Sequence, residues 1–357
     1  MSYPIINPDK LIADGNFTQA DINSINKTLN SFHNNTQLSI ARIIHGKVST
    51  LGAIKTNNKV YFINNPDAVF EIGSITKVFT SFILVNIAHE GLLDIDDTID
   101  KYLGYSLNNN TKTTFKELSN HTAGLPRIPP GMLLEAMFSN KNNPYKDYTE
   151  DRLIDYLKNK LKRKKKTAYR YSNLGAGLLG YVLSQVTGKS YEELLQYYIA
   201  RPLHMSSTTT DRNKTKGQLV TGLNKKGKPT DNWDLSILTG AGSILSTAKD
   251  LAVFALSNFD ENNSIFKHQH HKTFEANRFL SLALGWHILK VHKPPIDKFY
   301  SHEGGTGGYR SFIGLDLSQK NGIVLLSNVS GLYLFKGNKI THLALDLVSN
   351  SMNKADI

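Results

Sequence analysis

The sequence has no cysteine, so disulfides, thiolate nucleophiles and sulfur-ligated metals are excluded at the outset. That absence leaves the compartment open, because cysteine-free chains work on either side of a membrane. Nor is there a run of about 18 apolar residues, the length a helix needs to cross a bilayer. Residues Met1 to Gly15 show no charged stretch followed by an apolar one, so no signal peptide is read there and the chain as it stands reads as cytoplasmic. Two nucleotide and hydrolase signatures are also missing. Gly188-Lys189-Ser190 imitates the end of a phosphate-binding loop, but Leu183 stands where that loop requires glycine, and no G-x-S-x-G elbow occurs.

What is present is 357 residues, 40% of them hydrophobic, enough for one large domain or two modest ones with a real core. The net charge of +12 raises nucleic acid or an anionic surface as a partner. Much of the excess is local, with seven basic residues from Lys158 to Lys166. No aromatic residue interleaves that run to stack a base, so no specific nucleic-acid partner is expected. It reads as a solvated helix end and loop, with contact to an anionic polymer or membrane surface as the alternative.

Along the chain, a short helix is expected from Thr18 to Phe32 within an N-terminal extension, residues 1–34. Alternating segments then read as strands over residues 37–44, 48–54, 60–63 and 68–72. Helical periodicity dominates residues 75–89, and helices are expected again over 115–121, 150–160, 174–186, 191–199 and from Ser246 to about Leu256. Residues 261–275 read as a flexible loop rather than a metal site: His271 and Glu275 are four apart, but nothing in the stretch supplies a second ligand pair. Strands return over residues 282–289, 299–302, 309–316 and 321–328, before a closing helix from Lys339 to about Ser351. The pattern predicts an α+β fold: one antiparallel sheet shared by N- and C-terminal strands and flanked by helices, with a mostly helical segment inserted. In residue terms this is a domain over 35–350, with 35–90 and 235–350 forming the sheet-bearing half and 91–234 the helical half.

Three short motifs carry chemistry. Ser74 opens a buried helix with Lys77 three residues on, so the amine comes up beside the hydroxyl on one helix face. An amine kept neutral by desolvation takes the serine proton, and the unpaired N–H groups of the helix start sit where an oxyanion would develop. Tyr171-Ser172-Asn173 places a phenol and a carboxamide two residues apart, a proton relay and an amide for positioning substrate. Ser301-His302-Glu303-Gly304-Gly305-Thr306-Gly307-Gly308 ends a strand in glycines that let a ligand or another backbone approach closely.

Taken in order, SxxK, YxN and HxG resemble the serine β-lactamase and penicillin-binding-protein superfamily, in particular its class C β-lactamase, DD-peptidase and esterase branch. The likeness extends to Leu118-Ser119-Asn120-His121-Thr122-Ala123-Gly124-Leu125-Pro126, Pro202-Leu203-His204-Met205 and Gly240-Ala241-Gly242-Ser243, covering roughly residues 35 to 350. The resemblance implies a β-lactamase-like fold and an acyl-enzyme on Ser74, with Lys77 and Tyr171 sharing the base role and Asn173 holding the substrate amide. It also implies an oxyanion hole from the backbone of Ser74 and Gly305 beside Gly304, no cofactor and no metal, and an exported or cell-envelope enzyme of bacterial type. His302 stands where most β-lactamases have lysine, as in some DD-peptidases and esterases, and its charge would depend on pH. Glu303 departs further from the pattern: facing the site it would repel a substrate carboxylate unless Arg310 or another cation compensated, and strand alternation would instead turn it away from the site. The substrates implied are D-amino-acid peptides of the D-Ala-D-Ala carboxypeptidase type or β-lactams. A carboxylesterase is the alternative within enzymes, and a non-catalytic binding protein the alternative outside them.

Overall fold

The computed structural model describes residues 3–132, 143–163, 168–215, 219–293, 296–332 and 334–352. Its strands are β1 (Gln37–Ile44), β2 (Lys47–Thr56), β3 (Lys59–Ile63), β4 (Val69–Glu71), β5 (Leu245–Thr247), β6 (Phe274–Asn277), β7 (Leu280–Leu282), β8 (His287–Lys293), β9 (Ile296–Gly305), β10 (Arg310–Asp316) and β11 (Asn321–Ser327). The α-helices are α1 (Pro8–Ala13), α2 (Gln19–Asn30), α3 (Thr76–His89), α4 (Phe115–Ser119), α5 (Glu150–Asp155), α6 (Asn173–Thr187), α7 (Tyr191–Leu195), α8 (Ala248–Ser257), α9 (Ser264–His270) and α10 (Leu334–Met352).

Nine strands form one antiparallel sheet in the order β3-β2-β1-β11-β10-β9-β8-β7-β6, while β4 and β5 pair separately. The expected sharing of one sheet by the two ends of the chain is realised where β1 lies against β11, with Leu38 opposite Ser327 and Ile43 opposite Gly322. Because side chains alternate along a strand, β1 serves two cores. Leu38 and Ile40 face an outer core completed by Ile22, Ile25 and Leu29 of α2 and Ile340, Leu343 and Leu347 of α10. Ala41 and Ile43 face a larger inner core built on α3, α6 and α8.

The inner core explains why α3 forms. It is apolar nearly all round and is therefore buried rather than amphipathic. Phe79 stacks on Phe254 at 4.3 Å and Phe82 meets Phe266 at 4.6 Å, so the helix that starts beside Ser74 is held from two sides. On the outer face, α2 begins in a capping box between Thr18 and Asp21 and packs on α10. Together with the bridge from Ile5 to Ile63, this joins the segment read as an extension to the sheet.

Two local expectations are corrected. Residues 264–270 form helix α9, not a flexible loop. Asn263 caps it by accepting from the N–H groups of Ile265 and Phe266, and buried Gln269 donates to the Val78 carbonyl of α3 at 2.7 Å. The single strand expected over 282–289 is two strands broken at Gly285, where φ is +76° and an added Cβ would lie 2.8 Å from the Lys77 carbonyl oxygen. Glycine here lets the turn press against α3. The closing helix starts at Leu334, five positions earlier than periodicity suggested. Part of the basic run lies outside the described residues, at Lys164 to Lys166. Within the described part, Lys160 pairs with Asp155, Arg163 with Glu117, and Lys158 lies over the Tyr105 ring.

Candidate active site

Ser74 sits in the tight turn Gly73–Ile75 that runs directly into α3. The turn is fixed by β4 and by the Ile72 N–H donating to the Ile244 carbonyl at 3.0 Å. One turn on, Lys77 is almost wholly buried, and its Nζ lies 2.8 Å from Ser74 Oγ while donating to the Ala241 carbonyl at 2.6 Å. Burial, and after it the positive Arg127, pushes the Lys77 amine well below the usual lysine range, which favours the neutral base. The i, i+3 geometry expected from the sequence is therefore present.

Tyr171 comes from a different segment, just ahead of α6, and Ser74 is among the groups that act on its phenol. Burial pushes that phenol above its ordinary range, so it keeps its proton. Lys77 Nζ and the Arg127 guanidinium each lie 5.1 Å from the Tyr171 ring centroid. Ser172 caps α6 by accepting from the Gly175 N–H at 2.8 Å, and Asn173 follows as the helix's first residue. Asn173 Nδ2 donates to the Tyr145 hydroxyl at 2.9 Å, while its buried Oδ1 has no partner among the described residues.

Strand β9 forms the facing wall. Its Gly304 packs so close to the Ser74 turn that a Cβ there would fall 2.0 Å from the Ile72 carbonyl oxygen. A side chain at Gly304 would drive the strand off the turn, which is why glycine is required. His302 is buried, its Nδ1 is 2.8 Å from the Glu303 carbonyl, and its ring stacks on His287 at 5.1 Å and 14°. Burial, then His287 and Lys77, pushes His302 well below its ordinary value, so the pH-sensitive charge expected of it is suppressed. His287 is pushed down to about 4 by burial and Lys77, and its Nε2 lies 2.8 Å from the Tyr169 hydroxyl. His121, in a left-handed conformation with φ +61°, stacks on Tyr171 at 4.5 Å and its Nδ1 accepts from the Ser172 N–H at 3.3 Å. Three imidazoles surrounding the phenol are thus held neutral.

These groups open on a cavity of about 950 Å³ with mostly apolar walls. Ile128, Met132, Tyr145 and Trp233 line one side, and Leu289, Phe312, Leu332 and Leu345 the other. Glu303 also lines it. Alternation does turn Glu303 to the opposite face of β9 from His302, but β8 stops pairing at His287, opposite Ser301, so beyond that point β9 is a free edge. Both faces of the edge open on the cavity.

All seven expected site residues, Ser74, Lys77, Tyr171, Asn173, His302, Gly304 and Gly305, meet here. Sequence reasoning missed Arg127, Tyr145, Tyr169, Trp233 and His287. The one available signal was aromatic and basic residues recurring in the irregular stretches next to the motifs. Trp233 is placed through buried Glu71, whose Oε1 accepts from the Trp233 N–H at 3.0 Å and from Asn232 Nδ2 at 2.9 Å.

Comparison with known proteins gives a consistent picture. A family model described as beta-lactamase matches residues 40–345. Protein flp of Staphylococcus aureus (strain MRSA252) is 28% identical over 304 residues, spanning 80% of this chain and 57% of that protein. The D-alanyl-D-alanine-carboxypeptidase/endopeptidase AmpH of Escherichia coli (strain K12) is 27% identical over 309 residues, spanning 80% of this chain and 77% of that one. The chain therefore spans little more than half the length of the flp relatives. Among solved structures, a class C beta lactamase from Rhodobacter sphaeroides superimposes with a TM-score of 0.77 at 20% identity, covering 94% of this chain and 100% of the other. The octameric penicillin-binding protein homologue from Pyrococcus abyssi gives 0.77 at 21% identity, covering 93% and 77%. Both likenesses are of fold.

Proposed function

The chain belongs to the beta-lactamase family, and from that premise we propose that it is a serine hydrolase working through an acyl-enzyme on Ser74, with D-amino-acid peptides or β-lactams as substrates. The observation that carries this is the buried, neutral Lys77 amine at 2.8 Å from Ser74 Oγ. Lys77 takes the hydroxyl proton as Oγ attacks the carbonyl, and the N–H groups of Ser74 and Gly305 receive the oxyanion. The leaving amine departs with a proton from the Tyr171 hydroxyl, which Lys77 restores. Water then attacks the acyl ester by the same relay in reverse. Asn173 Oδ1, buried and without a partner among the described residues, would accept from a substrate amide N–H.

The name of the Escherichia coli relative supports peptides ending in D-alanine as substrates. A carboxylesterase on the same machinery is the second reading, favoured by the apolar cavity walls and the neutral His302. Intact mass after incubation with a penicillin tests both. A lasting adduct on the wild type and none on Ser74→Ala is expected for a peptidase, and drug hydrolysis without accumulation for a β-lactamase. Neither adduct nor hydrolysis, with turnover of short p-nitrophenyl esters, would transfer the assignment to the esterase.

A further inference from the structure

The free edge of β9 carries one acid into a cavity whose walls there are aliphatic and aromatic. Glu303 is exposed, two residues before Gly305, which at 3.3–3.4 Å per strand residue is about 7 Å along the edge. It makes no ion pair among the described residues. The nearest cation is Arg310, on the same face but one strand inward, opposite Gly305 on β10, with its Nη1 donating to Asn338 Oδ1 at 3.1 Å. Lys225 also reaches the cavity wall. Glu303 thus borders the same cavity as Ser74 from the opposite face of the β9 edge to His302, beside Leu289, Phe312 and Leu345 of the outer core, so a group that reaches round the edge from Ser74 enters the field of its carboxylate.

We propose that Glu303 is a specificity determinant that favours a leaving group carrying a positive charge on an apolar stem and disfavours one carrying a free carboxylate. The inference rests on the acyl-transfer reading above and, among the substrates named there, weighs against peptides that release a free carboxylate and towards the esterase. Its physical basis is Coulombic: a cation on that stem gains an attraction and an anion loses by repulsion, in a site partly shielded from water by hydrocarbon.

Three esters of one acyl group test it: the phenylacetyl esters of choline, of 3,3-dimethylbutanol and of 4-hydroxybutanoate, which are cationic, neutral and anionic on stems of comparable size. The readout is kcat/KM at pH 7 and low ionic strength. The wild type is expected to rank them cation, neutral, anion, with roughly three- to tenfold between steps, and added salt narrows the spread. Glu303→Gln is expected to bring the cation-to-anion ratio to within about threefold, Glu303→Lys to invert it, and Arg310→Gln to widen it. Hydrolysis of all three at equal rates, or an order unchanged in Glu303→Gln, overturns the assignment to Glu303 and leaves the acyl-transfer reading standing. An anion-first order in the wild type that Arg310→Gln reverses also overturns it, in favour of Arg310. Hydrolysis of none, with no adduct on Ser74, fails the acyl-transfer reading and this inference with it.

Discussion

On the outer face of the sheet Arg42 and Asp21 are both buried and meet at 2.7 Å, while on the inner face Lys77 is as deeply buried with no carboxylate paired to it among the described residues. The outer pair is closed on itself except at Arg42 Nε, which has no partner among the described residues. Asp21 Oδ2 also takes the Thr18 N–H, Asp21 Oδ1 takes Asn350 Nδ2, and Arg42 lies 4.4 Å over the Phe17 ring. The inner group is left open: a neutral amine, three neutral imidazoles, a protonated phenol and a carboxamide oxygen without a partner among the described residues. Charge buried for structure is compensated where it lies. Around Ser74 the protein instead withholds compensation, so the charge state is altered and the spare hydrogen-bonding capacity faces the substrate.

That contrast is open to direct attack. The largest effect is expected from Lys77→Met, which removes the base and should cost about 10²–10⁴ in kcat/KM. Thermal unfolding should show a smaller stability loss than in the outer-face variant below, because a desolvated amine leaves with the base. Next comes Arg42→Met, which strands a buried Asp21 and should cost about 3–5 kcal/mol in urea unfolding. The residual folded protein should keep its wild-type turnover per Ser74. If these two variants exchanged their effects, the distinction between the faces would be lost.

A third expectation is in pH. His287 titrates at about 4 when folded against 6.5 unfolded, so below pH 6.5 the unfolded chain binds the extra proton and the folded state loses stability as pH falls toward 4. At 1.36 kcal/mol per unit the span amounts to about 3 kcal/mol. In His287→Gln the urea midpoint should therefore fall less between pH 6.5 and 4.5 than in the wild type, and an equal fall would refute the assignment. The smallest effect belongs to Thr18→Ala, which removes the cap of α2 on the outer face. It should cost about 1 kcal/mol with no change in kcat/KM.

What could be read from the residues follows the range of the forces involved. Ser74 and Lys77 were legible because three residues along a helix share a face, and β1, β10 and β11, buried on both faces, were legible as largely apolar segments of strand length. Tyr171, Asn173 and His302 became legible only as a set. His287 was not, because its partners Tyr169 and His302 reach it through tertiary contact and nothing local marks it. The helix at Ser264–His270 was hidden by its polar residues, which masked both the Asn263 cap and the single buried face at Phe266 and Gln269. Glu303 shows a subtler failure. Alternation was obeyed, but whether a face meets water, core or cavity depends on where the neighbouring strand ends.

The pairing of β1 with β11 also sets a timetable. At a ribosomal rate of about 5–20 residues per second, roughly 15 to 60 s pass between emergence of β1 and of its partner. Through that interval the β1–β2 hairpin exists with one edge bare, and Leu38 and Ile40 have α2 but not α10 to cover them. The nascent chain thus keeps that edge exposed until β11 is made, and a holding chaperone acting on the N-terminal hairpin would raise the yield of folded protein more than one acting after release.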